Sequence, residues 1–232
     1  SSVGRRLSAL RTFYRFLMRR KMVSKDPAHL VRAPKKEQVL PGYIREEEMN
    51  RLLDGDYFED SFRGVRDRAM ILMFYTTGVR LSELTNMRLS DFDIGQMQLK
   101  VTGKRNKQRL IPFGAELSEC MQEYLEQRRV FCSQNHFVTE FFFLDERKGG
   151  RMDSVNVREL VKKYLSLVTT QKKRTPHVLR HSFATSMLNH HADLQSVKEL
   201  LGHEKLSTTE VYTHTSFEEL KEEYMHAHPR AK

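Results

Sequence analysis

Residues 175–214 read TPHVLRHSFATSMLNHHADLQSVKELLGHEKLSTTEVYTH, a stretch that carries the start and stop signals of three helices. A threonine followed by proline, a capping aspartate and a capping box are typical helix starts, and they occur at Thr175-Pro176, Asp193 and Ser207–Glu210. These signals predict a helix over residues 177–190, a short helix that ends at Leu201 before Gly202, and a third helix around Tyr212. The C-terminal third of the chain is therefore predicted to be helical.

Upstream of this stretch, the periodicity predicts more helices and one small antiparallel sheet. Apolar side chains recur at helical spacing in segments that we predict as helices: Phe62–Thr77 with a stop at Gly78, a helix from about Arg80, and residues 115–130 and 155–168. Strands are predicted at residues 97–101, 109–113 and 141–144. The first two strands can pair as a hairpin around the loop 103–107. The predicted fold class is mainly α with a small antiparallel β-sheet.

The first part of the chain differs in character from the rest. Residues 3–22 predict a basic amphipathic helix, whose apolar face is formed by Leu7, Leu10, Tyr14 and Leu17. Asp26-Pro27 ends this helix, and the next stretch has two prolines and a glycine but no periodicity. We therefore predict the tail of a longer helical N-terminal unit over residues 1–33, a linker over residues 34–42 and the main domain over residues 43–232.

The composition is that of a basic globular protein. Among 232 residues, 40 lysines and arginines against 30 aspartates and glutamates give a formal net charge of +10, which makes a polyanion a plausible partner. The hydrophobic fraction of 39% and the charged fraction of 30% argue against both a disordered chain and a membrane protein. Apolar runs stay far below the roughly 18 residues that span a bilayer. We see no secretory signal in the first residues, so the cytoplasm is the expected location.

Two cysteines, Cys120 and Cys132, occur in the chain. Both are interpreted as free thiols, because one possible disulfide would add little to a domain with an adequate core. With His136 they lack the close cysteine pair and the fourth ligand of a structural zinc site. No metal site is predicted.

Taken one at a time, several polar residues are only weak evidence for a functional site. His177 and Arg180 lie three apart at the start of a predicted helix, where a phosphate would be stabilised by the helix dipole. Tyr212 would need strong support as a nucleophile, because ionising a phenol at neutral pH costs roughly 4 kcal/mol. Each of these residues also has an ordinary role in packing or on a solvated surface.

Four segments, taken together in their order along the chain, favour a functional role for these residues instead. They are Thr77–Leu84 (TGVRLSEL), Thr102–Pro112 (TGKRNKQRLIP), His177–Thr185 (HVLRHSFAT) and Leu200–His214 (LLGHEKLSTTEVYTH). Together they resemble the tyrosine recombinase family, most closely the bacterial Xer recombinases, and the resemblance covers the whole chain. It implies the end of a helical core-binding domain followed by a mostly helical catalytic domain.

The resemblance also implies a catalytic set. The matching positions are Arg80, Lys104, His177, Arg180, His203 and the nucleophile Tyr212, with Glu83 supporting the first arginine. Tyr212 would form a 3′-phosphotyrosyl bond to DNA, without metal or cofactor, and a second strand would reverse the step. One departure is Arg105, where the Xer hairpin usually has glycine.

The partners follow from the same resemblance. Double-stranded DNA is the expected substrate, bound by four protomers of this chain or of a paralogous recombinase on two sites, with a possible activator protein. Candidate contacts to the DNA backbone are Arg5, Arg6, Arg11, Arg15, Arg105, Lys107 and Arg109. The tail Phe217–Met225 has apolar residues at helical spacing, which suits docking either in a neighbouring protomer or on its own domain.

Four alternatives remain open at this stage. The Xer-like tail, with no appended arm-binding module in view, favours chromosome dimer resolution, although a mobile-element integrase would share every catalytic residue. A type IB topoisomerase would use similar chemistry without pairing two sites. A catalytically silent DNA-binding protein is disfavoured by the intact catalytic set. A metal-dependent nuclease is disfavoured because no clustered carboxylates accompany the histidines.

Overall fold

The structure is a computed structural model that describes residues 2–31, 42–103, 106–202 and 217–231. The chain divides into two compact units, Ser1–Leu40 and Pro41–Lys232. The predicted capping box Ser207–Glu210 lies outside the described residues.

The first unit is built on one helix, α1 (Ser2–Arg19). The chain then turns back, and Asp26 Oδ1 accepts a hydrogen bond from the backbone N–H of Ala28 at 2.8 Å. The predicted apolar face is only partly correct. Leu7 is buried, but Leu10 is exposed, because the residues described in this unit offer α1 little to pack against.

The second unit confirms the predicted class, mainly α with a small antiparallel sheet. Its helices are α2 (Glu46–Asp54), α3 (Phe62–Thr77), α4 (Leu81–Asn86), α5 (Ala115–Gln134), α6 (Ser154–Val168), α7 (Pro176–Asn189), α8 (Leu194–Leu201) and α9 (Phe217–Ala227). Its strands are β1 (Phe92–Asp93), β2 (Gln98–Thr102) and β3 (Gln108–Pro112), paired antiparallel in the order β1-β2-β3. Leu99 on β2 faces Ile111 on β3, and both are fully buried.

Helix α3 is the centre of the core. The sequence predicts an apolar stripe on one side, but every residue from Ala69 to Thr77 is buried. Helices α5 and α7 both pack against it. A helix that is covered on all sides belongs to the interior of a domain.

The predicted helix stops are confirmed at both glycines. Gly78 after α3 and Gly202 after α8 have φ values of 59° and 63°, in the left-handed region that favours glycine. A Cβ atom at Gly78 would come within 2.6 Å of the Phe183 ring. Asp193 caps α8 as predicted, with its carboxylate accepting from the backbone N–H groups of Gln195 and Ser196.

The predicted strand at residues 141–144 is wrong, although the segment is buried. It forms only isolated bridges, Phe141 with Arg88 and Leu144 with Arg151. Side chains of α5 occupy its carbonyl groups: the Tyr124 hydroxyl donates to Phe142 O at 2.8 Å, and Arg128 donates to Phe141 O at 2.8 Å. Because these carbonyls are already paired, a continuous ladder does not form.

The tail helix α9 packs against β3, α7 and α8 of its own chain. Tyr224 is fully buried there, and the Glu223 carboxylate accepts a hydrogen bond from the Asp193 backbone N–H at 2.6 Å. The tail helix thus packs on its own domain in this structure, and docking in a neighbouring protomer stays a prediction. None of the helices in the part of the chain that the structure describes has the length and apolar character of a membrane span.

Candidate active site

The structure describes some of the predicted catalytic residues and not others. Arg80, Glu83, His177 and Arg180 are described, whereas Lys104, Arg105, His203 and Tyr212 lie outside the described residues.

Arg80 stands at the start of α4, where Gly78 has just ended α3. Its Nη1 group donates to Glu83 Oε1 at 2.7 Å, and its backbone N–H donates to Glu83 Oε2 at 2.7 Å. Its Nη2 group donates to Gly202 O at 2.7 Å. The side chain remains 36% exposed, so this guanidinium is held in place and still accessible to a ligand.

Arg180 lies on the second turn of α7 and is buried. Its Nη1 and Nη2 groups donate to the carbonyl oxygens of Gly78 and Leu201. Burial and then the neighbouring positive charges of Arg80 and Arg109 lower the pKa of Arg180 to about 10. The side chain is therefore still charged at neutral pH.

The structure corrects the prediction that Arg109 contacts the DNA backbone. It is only 15% exposed, and its Nη1 and Nη2 groups donate to the two Glu83 oxygens at 2.8 and 3.0 Å. Its Nε group donates to Leu200 O at 2.7 Å. Because the fork of the guanidinium is engaged inside the protein, we reassign Arg109 to the support of the site.

A signal for this reassignment is present in the sequence. Arg109 pairs directly with Val101 across the hairpin, and Ile111 follows two residues later. Side chains two apart on a strand share a face, and both Val101 and Ile111 are buried. The alternation therefore places Arg109 on the inner face of the sheet.

Glu83 connects Arg80 to Arg109. Its side chain is 1% exposed and accepts four hydrogen bonds, two from Arg80 and two from Arg109. Burial raises the pKa of this carboxyl, but the hydrogen bonds and charge of Arg109, and then the hydrogen bonds from Arg80, bring it down to about 2. Glu83 is thus ionised across the neutral range.

Three arginines converge on the C-terminal end of α8. The successive carbonyls of Leu200, Leu201 and Gly202 accept from Arg109, Arg180 and Arg80 respectively. The last carbonyls of a helix lack helical partners and form the negative end of its dipole, so cations are favoured there. Three guanidinium groups against the single carboxylate of Glu83 leave this group of residues with a surplus of two positive charges, which suits a phosphate.

His177 occupies the first turn of α7 and is exposed, whereas Arg180 on the same helix is buried. Helix α7 begins at Pro176, as predicted, with Thr175 before it in an extended conformation. Both residues thus belong to the start of α7, with His177 facing solvent and Arg180 turned towards the end of α8.

The remaining predicted contacts to the DNA backbone fall into two groups. Exposed side chains are those of Arg5, Arg6, Arg15 and Lys107. Arg11, in contrast, ties the first unit together, since it donates to the carbonyls of Ala28 and Val31 at 3.1 and 2.7 Å.

Neither cysteine forms a disulfide. Cys120 is buried and Cys132 is half-buried, and both carry free thiols. Across the described residues, no group of three or more histidine, cysteine, aspartate or glutamate side chains is arranged to hold a metal ion.

Comparison with known proteins places this geometry in a family. Residues 42–219 match the model of the phage integrase family. Tyrosine recombinase XerC of Anoxybacillus flavithermus is 41% identical over 231 residues, which cover 99% of this chain and 76% of that protein.

Solved structures agree. XerA recombinase is 30% identical with a TM-score of 0.62, over 97% of this chain and 74% of that one. XerH site-specific recombinase, in a pre-cleavage complex with its difH substrate, is 26% identical with a TM-score of 0.62, over 72% of this chain and 48% of that one. The chain belongs to the phage integrase family, and it is a tyrosine site-specific recombinase of the Xer type.

Proposed function

We propose that this chain cuts and rejoins double-stranded DNA through a 3′-phosphotyrosyl bond to Tyr212. The observation that supports this most directly is the cluster of Arg80, Arg180 and Glu83 at the end of α8. Helix α8 stops at Gly202. His203 and Tyr212 follow this glycine by one and ten positions in the sequence. The phosphate-binding charge and the nucleophile thus belong to neighbouring parts of the chain.

Arg80 and Arg180 act on the scissile phosphate. A guanidinium carries five N–H donors, and the hydrogen bonds of the described residues use two in each of these side chains. The others can donate to the nonbridging oxygens as negative charge builds in the transition state. Two fixed guanidinium groups supply the positive charge that a metal ion brings in other phosphoryl transfers.

The remaining roles concern proton transfer. Lys104 donates a proton to the leaving 5′-oxygen, His177 assists at the nucleophile, and His203 donates a hydrogen bond to the phosphate. The exposure of His177 at the start of α7 is compatible with contact to DNA. Conservation of the bond energy in the tyrosyl ester allows a second 5′-hydroxyl to rejoin the strand.

The DNA and its assembly complete the proposal. The XerH structure is a complex with its difH substrate, and we infer that this chain likewise binds a specific duplex, as a tetramer on two sites. The tetramer contains this chain alone or a paralogous recombinase, with an activator protein where one exists, and it acts on chromosomal DNA in the cytoplasm. Residues 1–33 act as the end of a core-binding domain, whose exposed arginines meet the DNA backbone, and residues 34–42 link it to the catalytic domain.

A covalent capture experiment tests the chemistry. The chain is incubated with short duplexes that have a randomised centre and a nick just downstream, so that the released strand diffuses away. Protein–DNA adducts that survive denaturation are isolated and their DNA is sequenced. We expect a defined sequence to be enriched and the adduct to be lost in Y212F.

The matched control is Y43F, which removes the hydroxyl of an exposed tyrosine in the second unit. It is expected to leave the adduct unchanged. An adduct that persists in Y212F would show that another residue is the nucleophile. Specific DNA binding without any adduct would favour the silent DNA-binding protein.

A further inference from the structure

Arg109 contacts two parts of the site that lie far apart in the sequence. On one side, its Nη groups bind both oxygens of Glu83, which is 26 residues away. On the other side, its Nε group binds the carbonyl of Leu200, which is 91 residues away. Arg109 itself lies on β3, directly after the loop 103–107 that carries Lys104.

We propose that Arg109 is a positioning residue for DNA cleavage, which aligns Arg80 through Glu83 and ties β3 to the end of α8 without touching the DNA. This inference rests on the proposed function, because cleavage is the step that it affects. It assigns to Arg109 a role separate from that of the residues that contact the phosphate.

Glu83 is held by both arginines. Its Oε1 atom is shared by Arg80 Nη1 at 2.7 Å and Arg109 Nη1 at 2.8 Å. Arg80 is the more exposed of the two arginines, at 36% against 15%. When Arg80 turns donors towards a phosphate, Arg109 still holds the carboxylate, so Glu83 keeps both its charge and its place.

The same arginine also contacts the end of α8. Gly202 has a φ of 63°, and a Cβ atom there would lie 3.2 Å from both Cδ and Nη1 of Arg109. The glycine therefore allows the arginine to approach the helix end closely. Because the next residue along the chain is His203, Arg109 defines the point from which the segment with His203 and Tyr212 departs.

The contacts of Arg109 depend on the shape of its side chain. Arg109 makes three hydrogen bonds in fork geometry, two to one carboxylate and one to a carbonyl. A lysine ammonium is a compact donor on a flexible stem and cannot reproduce this arrangement. Charge alone is therefore not sufficient at this position.

The test compares R109M and R109K with the control K100M. Lys100 lies on β2 of the same hairpin, and its ion pair at 3.7 Å is with Asp91 rather than with Glu83. Each variant is given the captured duplex, and DNA affinity and the single-turnover rate of adduct formation at saturating protein are measured separately. Folding is checked by thermal unfolding.

We expect R109M to weaken DNA binding no more than K100M does, but to slow adduct formation at saturation at least about 100-fold, as small misplacements of reacting groups do. R109K should recover stability but not the rate. A wild-type rate in R109M, or full recovery of the rate in R109K, would overturn the inference.

The double variant R109M/E83Q separates positioning from general destabilisation. If Arg109 acts through Glu83, the double variant is about as slow as R109M alone, whereas independent effects would multiply. Multiplied effects would contradict the route through Glu83. If R109M does not fold, the double variant takes its place, because it removes both members of the ion pair. Its adduct formation must then be slower than that of E83Q, because the double variant also loses the hydrogen bond from Arg109 to Leu200 O.

The outcome for the wild-type chain separates this inference from the proposed function. Without an adduct from the wild-type chain, the proposed function itself fails. With a wild-type adduct and an unaffected R109M, only the role of Arg109 is rejected.

Discussion

Two groups of charged residues in the second unit are similarly buried, but the pKa values of their carboxyl groups shift in opposite directions. Counted over the whole residue, Asp67 and Glu83 are each 4% exposed. Burial raises the pKa of Asp67 despite the hydrogen bonds from Arg66 and Tyr164, whereas Arg109 and Arg80 bring the pKa of Glu83 down to about 2. Glu83 accepts four hydrogen bonds from two arginines, whereas Asp67 accepts two from a single arginine, Arg66, which accounts for the lower pKa of Glu83.

The charge balance differs in the same way. Around Asp67, Arg63 and Arg66 face Asp67 and Glu146, so two cations meet two anions. Around Glu83, three arginines meet a single carboxylate. A balanced group ties the interior together, whereas an excess of positive charge indicates a site for an anionic ligand.

The largest expected effect separates the two groups by activity. R180M removes a guanidinium from the proposed phosphate site and should slow adduct formation about 100- to 1,000-fold, in line with the loss of one preorganised donor. Its measurement is the single-turnover rate at saturating protein. R66M, assayed below its unfolding temperature, is the control and should cleave at close to the wild-type rate. Equal losses in both variants would remove the distinction between the groups.

The group around Asp67 should contribute to stability rather than to activity. R66M leaves Asp67 buried without its arginine, and breaking a buried pair in this way costs about 3–5 kcal/mol. Chemical denaturation should therefore show a much lower free energy of unfolding for R66M than for R63M, since the Arg63 side chain is half exposed. A cost below that of R63M would show that Asp67 is neutral in the folded protein.

The acid dependence of stability should distinguish Glu83 from Asp67. The pKa of Glu83 is lower in the folded chain than in the unfolded one, so its ionisation stabilises the fold above about pH 4.5 and this contribution is lost as the pH falls towards 2. The loss amounts to about 3 kcal/mol. The pKa of Asp67 is shifted upward, so its protonation on acidification acts in the opposite direction.

Unfolding free energies of E83Q and D67N across this pH range provide the measurement. E83Q should lose less stability than the wild type on acidification, because the stabilising ionisation is absent. D67N should lose more than the wild type, because the compensating protonation is removed. Parallel curves for all three proteins would contradict the assigned shifts.

The smallest effect is expected from a chelator. If the surplus of guanidinium charge serves the phosphate, EDTA leaves the rate of adduct formation unchanged. Loss of the adduct in EDTA and its return with added Mg²⁺ would instead support the metal-dependent nuclease.

Much of the fold could be predicted because its signals are local. The helix α3 and its stop at Gly78, the cap Asp193 and the stop at Gly202 were predicted at their observed positions. Such signals depend on backbone conformation and on partners a few residues away, which the sequence displays directly. The pattern of β2 and β3 is equally local, because the hairpin joins neighbouring segments.

Other features depend on distant partners and could not be predicted in this way. Residues 141–144 are as apolar as a buried strand, but Arg128 and Tyr124 on α5 take up the carbonyls that a ladder would need. Helix α3 looked amphipathic, yet packing on all sides buries it. The alternation along β3 indicates that Arg109 faces inward, but its partners Glu83 and Leu200 are 26 and 91 residues away and are not visible in the local pattern.

The sequence by itself determined the order of the helices, the position of the hairpin and the basic character of the chain, and its resemblance to the tyrosine recombinases predicted the catalytic set. The tertiary structure decided which arginines lie inside the protein around Glu83 and the end of α8. The orientation of Arg109 depends on Glu83 and Leu200, and the burial of Arg180 depends on Gly78 and Leu201. These partners are brought together only by folding, because a buried guanidinium is stable only where carboxylate and carbonyl oxygens from several elements converge.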